Sequence, residues 1–143
     1  MPLIPTDTMT LPDIGAAVEL ESITPEPSKT WRIDWHNNRI VGMIDGKEAV
    51  EQAIRVIIQT VRFWFVIYSW NFGFESDALI GKSEAVLRSE VRRLLTEALT
   101  QDERILSVEN VNVNWVKRRS AGISFTANTT EGDIEINNVE VSL

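Results

Sequence analysis

The stretch Thr60–Phe74, TVRFWFVIYSWNFGF, decides how this chain folds, because it separates two segments with helical periodicity. Its first half, Arg62–Tyr68, is rich in aromatic and β-branched residues, which favours a short buried strand. Gly73 then permits a positive φ or a close backbone approach. We expect three aromatic side chains of the first half to lie in the core: Phe63, Phe65 and Tyr68.

The second half of the stretch holds three aromatic residues within five positions, Trp70, Phe72 and Phe74. Such residues either fill a core or form an exposed contact patch, since aromatic side chains dominate binding hot spots. The sequence alone leaves both alternatives open. We therefore include these three residues among the candidate partner-binding residues.

Helical segments flank the stretch on both sides. Asp45, with Glu48 three positions later, has the spacing of a capping box, and the first helix is expected to end near Thr60. Ser83 is the expected N-cap of the second helix. Apolar residues recur at helical spacing in each segment and predict two buried stripes. These are Val50, Ile54, Ile57, Ile58 and Val61, and then Leu87, Val91, Leu94, Leu95 and Ala98.

Alternating residues predict strands before and after the helices. Trp31, Ile33 and Trp35 have a period of two, and Asn37-Asn38 favours a two-residue hairpin turn that returns the chain as a second strand. After the second helix we expect a strand with one apolar face that is buried, which we call its dry face. Two further strands follow. The phase changes at Asn137-Asn138, which implies a bulge or a turn in the last strand. The expected dry face consists of Val111, Val113 and Trp115.

These elements predict an α+β fold in which two main helices pack on a small, mostly antiparallel sheet. Residues 1–28 form a separate segment, because they contain all five prolines, five acidic residues and no basic residue. We interpret this segment as an extended acidic arm that precedes a domain at 29–143. It is either a disordered terminus or an arm that becomes ordered on a neighbouring subunit. The last strand is a plausible sheet edge for a partner strand.

Charge and composition argue against several classes of ligand. The formal net charge is −7, and the basic run Lys117-Arg118-Arg119 is short, so we expect no nucleic-acid binding. No stretch approaches the length of a membrane span, and no secretory signal is recognisable. The chain has no cysteine and one histidine, His36, at the expected hairpin tip. This excludes thiol chemistry and a multi-histidine metal site.

The sequence also gives little support for a catalytic function. A nucleophile paired with histidine has only His36 available. Glycoside hydrolysis needs two placed carboxylates, and no motif places them here. Gly81-Lys82-Ser83 resembles the end of a phosphate-binding loop, but Ser76 stands where that motif needs its earlier glycine. We therefore predict that the protein is not an enzyme and has no cofactor, metal or small-molecule substrate.

Four segments, taken in order, resemble one known family. They are Ile44-Asp45-Gly46 with Glu48, Ala49 and Gln52; Thr60 and Arg62; Ile67-Tyr68-Ser69-Trp70-Asn71-Phe72-Gly73; and Leu99-Thr100-Gln101-Asp102-Glu103-Arg104-Ile105. Over residues 30 to 136 the chain is similar to the small baseplate wedge proteins of contractile phage tails and tailocins of the defective-prophage type. That family is often labelled "lysozyme-like" and also serves as sheath initiator. Its Glu-Pro-Arg signature corresponds here to Asp102, Glu103 and Arg104, with glutamate in place of proline.

The resemblance implies a role in assembly. The corner formed by Asp102, Glu103 and Arg104 would dock on larger baseplate wedge subunits. The tail sheath would start by β-strand addition, for which the candidate elements are the strands from Ile105 to Val141 and the N-terminal arm. Arginine suits such a corner because its planar fork binds a carboxylate or carbonyls bidentately. Arg104 can equally form a salt bridge that closes the corner. The resemblance also implies six copies per baseplate, assembled in the bacterial cytoplasm into the tail particle.

Two other functions remain open at this stage. One is an adaptor in another multiprotein assembly, which would use the same strand edge and aromatic residues. The other is a peptidoglycan hydrolase, which the family label suggests.

Overall fold

Two amphipathic helices and a sheet with one apolar face bury their apolar sides against each other, and this arrangement gives an α+β fold. The computed structural model describes residues 28–117 and 120–142. The fold class is confirmed, although the strands form two separate antiparallel sheets, one of two strands and one of three. The elements in chain order are β1 (Thr30–Asp34), β2 (Arg39–Ile44), α1 (Gly46–Gln59), α2 (Glu84–Leu99), β3 (Ile105–Lys117), β4 (Ser120–Thr129) and β5 (Gly132–Ser142).

The helices contribute the two apolar stripes that their periodicity predicts. Asp45 caps α1 by accepting a hydrogen bond from the backbone N–H of Gly46 at 2.7 Å. Glu48 does not complete a capping box but pairs with Arg32 of β1. Of the predicted stripe residues, all are buried except Val61, which is half-buried. The buried ones are Val50, Ile54, Ile57, Ile58, Leu87, Val91, Leu94, Leu95 and Ala98.

The three-stranded sheet has the order β3-β4-β5, so β4 is its central strand. In β5, Ile134 and Ile136 are buried, and Val139 and Val141 are buried despite their opposite parity. A register shift in the β4–β5 pairing and a positive φ of 51° at Asn138 make this possible. The predicted bulge at Asn137-Asn138 is thus confirmed, and it keeps one continuous face of β5 on the core.

The dry face predicted for β3 is only partly present. Val113 is buried and Val111 is half-buried, but Trp115 is 46% exposed. Asn110 has a φ of 53° beside a register shift, so β3 is bulged in its middle. Trp115 lies on β3, which among the described residues pairs with β4 alone and so has no neighbouring strand on its other flank.

The hairpin of β1 and β2 has a four-residue turn, so the predicted two-residue turn is wrong. Asp34 pairs with Arg39, and the Asp34 carboxylate accepts hydrogen bonds from the backbone N–H groups of His36 and Asn37. An aspartate that bonds the backbone ahead of it stabilises this wider turn. His36 does lie in the turn, as predicted.

Gln52 of α1 fixes the hairpin to the helix. Its amide donates to the Trp31 carbonyl and accepts from the Ile33 N–H, each at 2.8 Å. The side chain thereby takes the place of a neighbouring strand along part of β1. The hairpin is held beside α1 rather than joined to the larger sheet.

Thr60–Phe74 differs most from its prediction. Arg62–Tyr68 forms turns instead of a buried strand, and Phe63, Phe65 and Tyr68 are exposed. The physical reason is that the stripes of α1 and α2 and the inner face of the three-stranded sheet already fill the core. Only the end of the stretch enters it, through Phe74.

Some predicted segments lie outside the residues that the structure describes. Of the proposed arm at 1–28, residues 1–27 lie outside the described residues, as do Arg118 and Arg119 in the predicted turn after β3. In the part of the chain that the structure covers, no helix is long and apolar enough to cross a membrane.

Gly73 closes the base of the Thr60–Phe74 stretch, and its replacement tests that closure. Its φ is 104°, and an added Cβ would lie 2.7 Å from the Thr60 carbonyl oxygen. That oxygen accepts the Phe74 N–H at 2.8 Å. We expect Gly73→Ala to lower the free energy of unfolding by about 3 kcal/mol, from strain plus the clash.

Gly81→Ala is the matched control, because Gly81 also has a positive φ, 76°, but open space around its Cβ position. It should cost about 1–2 kcal/mol. Urea unfolding of both variants measures the difference. Equal losses would contradict the close approach at Gly73.

Candidate partner-binding site

The corner between α2 and β3 is built around an ion pair between neighbouring residues. Arg104 Nε donates to Asp102 Oδ1 at 2.9 Å, and Arg104 Nη2 donates to Asp102 Oδ2 at 2.6 Å. The Arg104 backbone N–H also donates to Asp102 Oδ1, at 3.0 Å. The Arg104 carbonyl in turn accepts the Thr130 N–H at 2.9 Å, which ties the corner to the β4–β5 turn.

The ion pair accounts for the electrostatics of the corner. The hydrogen bonds from the Arg104 side chain hold the pKa of Asp102 below its usual value, and the same contact raises the pKa of Arg104. Both side chains are more than two-thirds covered. Arg104 therefore forms the salt bridge within the chain that the sequence left open as one of its roles. Glu103, which lies between Asp102 and Arg104 in the sequence, is exposed.

An open groove of about 1580 Å³ runs beside this corner. Its walls come from the hairpin, from one side of α1, from the corner and from the end of the Thr60–Phe74 stretch. All three predicted corner residues line it. The other lining residues that matter here are Trp31, Ile33, Ile40, Gln52, Ala53, Val56, Ser69, Asn71, Phe72 and Glu131.

We call residues 63–72 the aromatic loop, because its aromatic side chains project outward. Trp70 is 79% exposed, Trp64 is 68% exposed and Val66 is fully exposed. Phe72 is half-buried against the core. Phe74, just after the loop, is 1% exposed and offers no surface to a partner. Of the two roles that the sequence left open for it, the structure shows the core position.

Arg62 organises the aromatic loop, and sequence reasoning did not identify it as a functional residue. Its Nε donates to the Trp70 carbonyl at 3.0 Å, and its Nη1 donates to Glu97 Oε1 of α2 at 2.7 Å. The Arg62 side chain is only 12% exposed, and its guanidinium lies 4.9 Å from the centre of the Phe63 ring. Its hydrogen bond also lowers the pKa of Glu97. A lone cation in an otherwise uncharged stretch was the available signal.

The carboxyl group of Asp102 differs from the general acid of a glycosidase. A general acid needs a carboxyl group with a raised pKa. The pKa of Asp102, which lines the groove, is lowered instead. Within 28–117 and 120–142, no group of three or more His, Cys, Asp or Glu side chains is arranged to hold a metal ion.

Comparison with known proteins identifies the family of this chain. The family model described as "Contractile injection system sheath initiator" matches residues 29–132. The chain belongs to the sheath initiator family. It is also 37% identical over 127 residues to "Phage-like element PBSX protein XkdS" of Bacillus subtilis (strain 168), an alignment that covers 85% of this chain and 89% of that protein.

Membership in the sheath initiator family confirms the resemblance to baseplate proteins of the defective-prophage type. It gives the protein a structural role in the tail or sheath of a contractile injection system, as a part of a phage-tail-like particle. Such a role requires contacts with other tail proteins. The family is one of structural proteins.

The Asp102–Arg104 pair predicts a pH-dependent contribution to stability. Because the folded-state pKa of Asp102 is depressed, its contribution is present above the unfolded-state value near 3.8 and disappears as pH falls through the folded-state pKa. We expect Asp102→Asn to lower the free energy of unfolding at pH 7 by about 1.5–3 kcal/mol, since charged hydrogen bonds are lost.

Urea unfolding of wild type and Asp102→Asn over a series of pH values measures this contribution. The two curves should converge as the pH falls below 3.8. Asp133→Asn, at an exposed position of β5, is the control and should change stability by less than about 0.5 kcal/mol. A difference between wild type and Asp102→Asn that stays constant with pH would contradict the ion pair.

Proposed function

We propose that this sheath initiator is a baseplate component that docks on larger wedge subunits through the corner groove and starts sheath assembly by β-strand addition. The observation that carries the proposal is that the corner and the open strand edges belong to one short structural unit. The loop between β4 and β5 bonds directly to the corner through Thr130 and Arg104. A partner in the groove and a partner on the sheet would therefore be held in fixed relation.

The corner groove supports docking because it combines apolar and charged groups. Its apolar side chains come mainly from the hairpin and α1, and its charged side chains are those of Lys29, Asp45, Glu131 and the corner. Asp102 already neutralises Arg104, so three exposed carboxylates and one exposed cation would meet a partner's charge, and the balance is acidic. They are Asp45, Glu103, Glu131 and Lys29. A segment with an apolar face and basic residues fits this lining.

The three-stranded sheet supports strand addition because, in the described part of the chain, β3 and β5 each pair only with β4. Each therefore presents one edge of backbone donors and acceptors. Main-chain hydrogen bonds to an added strand would give strength and register. The sheath protein is the partner that the family description suggests.

The remaining features of the proposal extend the same role. Six copies per baseplate would match the symmetry of the tail. Assembly would take place in the bacterial cytoplasm, and residues 1–28 would act as an arm that orders on a neighbouring subunit. Docking and strand addition need no catalytic group, no cofactor and no nucleic acid or membrane. A turbidity assay on peptidoglycan checks the absence of hydrolase activity.

The docking claim predicts the outcome of deletion and complementation in a producing strain. Without the gene, negative-stain electron microscopy should show tubes and sheaths that do not assemble into complete tails. Wild-type protein should restore complete tails. Arg104→Ala and Glu103→Lys should restore them poorly, since each changes the corner that meets the wedge subunit.

Thermal unfolding of the purified variants separates docking from folding. Glu103 is exposed, so Glu103→Lys should unfold at the wild-type temperature. Arg104→Ala loses the bonds to Asp102 and should remain folded with reduced stability. Full rescue of tail assembly by Glu103→Lys would contradict docking through the corner. If Arg104→Ala were also unfolded, the corner would be a purely structural feature.

Strand addition makes a separate prediction about amide hydrogen exchange. When purified sheath protein binds, exchange should slow by tenfold or more at edge amides of β3 or β5, because they gain hydrogen-bond partners. Amides of β4 are the internal control, since that strand is already paired on both sides. Binding without new protection in either edge strand would contradict strand addition.

A further inference from the structure

The aromatic loop encloses a small apolar cleft that the proposed docking does not explain. Its volume is about 150 Å³, a size that holds one benzene-sized group. Most of the lining is apolar, and it includes no charged residue. The lining residues are Val61, Phe63, Phe65, Val66, Tyr68, Ser69, Trp70 and Phe72.

Aromatic pairs form the walls of this cleft. Tyr68 stacks on Phe72 with ring centres 4.4 Å apart, and Phe65 meets Tyr68 edge-on at 6.2 Å. Phe63 and Trp70 form the other pair, at 5.8 Å. The rings therefore support one another across the loop and leave the space between them open.

The cleft is held in shape before any partner arrives. Arg62 links the Trp70 carbonyl to Glu97, and the backbone of Phe63 has a φ of 71°, which a bulky residue rarely adopts. Backbone bonds between Thr60 and Phe74 and between Arg62 and Phe74 close the base of the loop. A preformed cleft reduces the entropy lost on binding.

We propose that this cleft receives one large apolar side chain, such as Leu, Ile, Met or Phe, from the wedge subunit that docks in the corner groove. The inference rests on the proposed function, because it takes its occupant from there. Ser69 and Phe72 line both the cleft and the groove, so a subunit in the groove reaches the cleft without a gap. An apolar anchor in a pocket with a charged rim is the usual anatomy of a binding hot spot.

The charges around the cleft favour a protein partner over a membrane. No charged residue lies between Arg62 and Glu75, and both Arg62 and Arg93 are paired with Glu97 at the rim. Surfaces that insert into anionic membranes carry unpaired basic residues beside the apolar tip. With a net charge of −7, this chain has the opposite balance.

Filling the cleft from within tests the inference. Ser69→Leu in the full chain adds apolar surface but occupies the cleft, so affinity for the purified larger wedge subunit should fall by about tenfold or more. Trp70→Ala removes one wall and should weaken binding by about 30-fold, as for a hot-spot aromatic residue. Ser89→Leu makes the same change at an exposed position of α2 and should bind as wild type does.

The outcomes separate the inference from the function on which it rests. If Ser69→Leu binds as tightly as wild type or more tightly while Glu103→Lys loses binding, the cleft takes no side chain and the docking proposal stands. If wild type itself does not bind the wedge subunit, both proposals are overturned. A blue shift of tryptophan emission on phosphatidylcholine–phosphatidylglycerol vesicles that Trp70→Ala abolishes would assign the loop to lipid and also overturn the inference. Unchanged unfolding temperatures confirm that each variant is folded.

Discussion

The surface that we propose for partner binding depends on one largely covered guanidinium. Arg62 joins the aromatic loop to α2 through the Trp70 carbonyl and Glu97, and the side chain is almost completely covered. A covered arginine is stable only when its donors are satisfied, so the loop must keep the shape that satisfies them. That shape opens the cleft and places Ser69 and Phe72 at the end of the corner groove. The hydrogen bonds of Arg62 therefore give this unusually apolar stretch a fixed shape at the protein surface.

The parts of the fold that periodicity specifies were predictable from the sequence. The stripes on α1 and α2 follow helical spacing, and the parity change at Asn137-Asn138 correctly predicted the bulge in β5. The aromatic loop was not predictable in this way, because an apolar run with no polar alternation gives no information on which side is covered. Phe63, Phe65 and Tyr68 have the composition of a buried strand, but the core has no space left for them. The four-residue turn at Asp34 was missed because side-chain bonds to the backbone outweigh the preference of Asn-Asn for a tight turn.

The candidate site was predictable only in part. The corner residues followed from the resemblance to a family, and the structure shows what the sequence left open, namely that Asp102 binds Arg104 within the chain. The groove could not be foreseen, because its walls come from segments far apart in the sequence. The roles of Gln52 and Arg62 were missed for the same reason, since each acts on a partner 19 or more residues away. Both residues belong to the segments that carry the family resemblance, which was an available signal.

We propose that a rigid corner, an open sheet and a preformed aromatic cleft make this protein a connector that holds two partners on one small unit. Cryo-electron microscopy of the complete particle tests this central claim most directly. We expect the reconstruction to show the chain at the junction of the baseplate and the first sheath ring. A wedge subunit should lie in the corner groove, and an added strand should pair with the edge of β3 or β5. A chain located elsewhere, or one at the junction whose groove and strand edges are both empty, would contradict it.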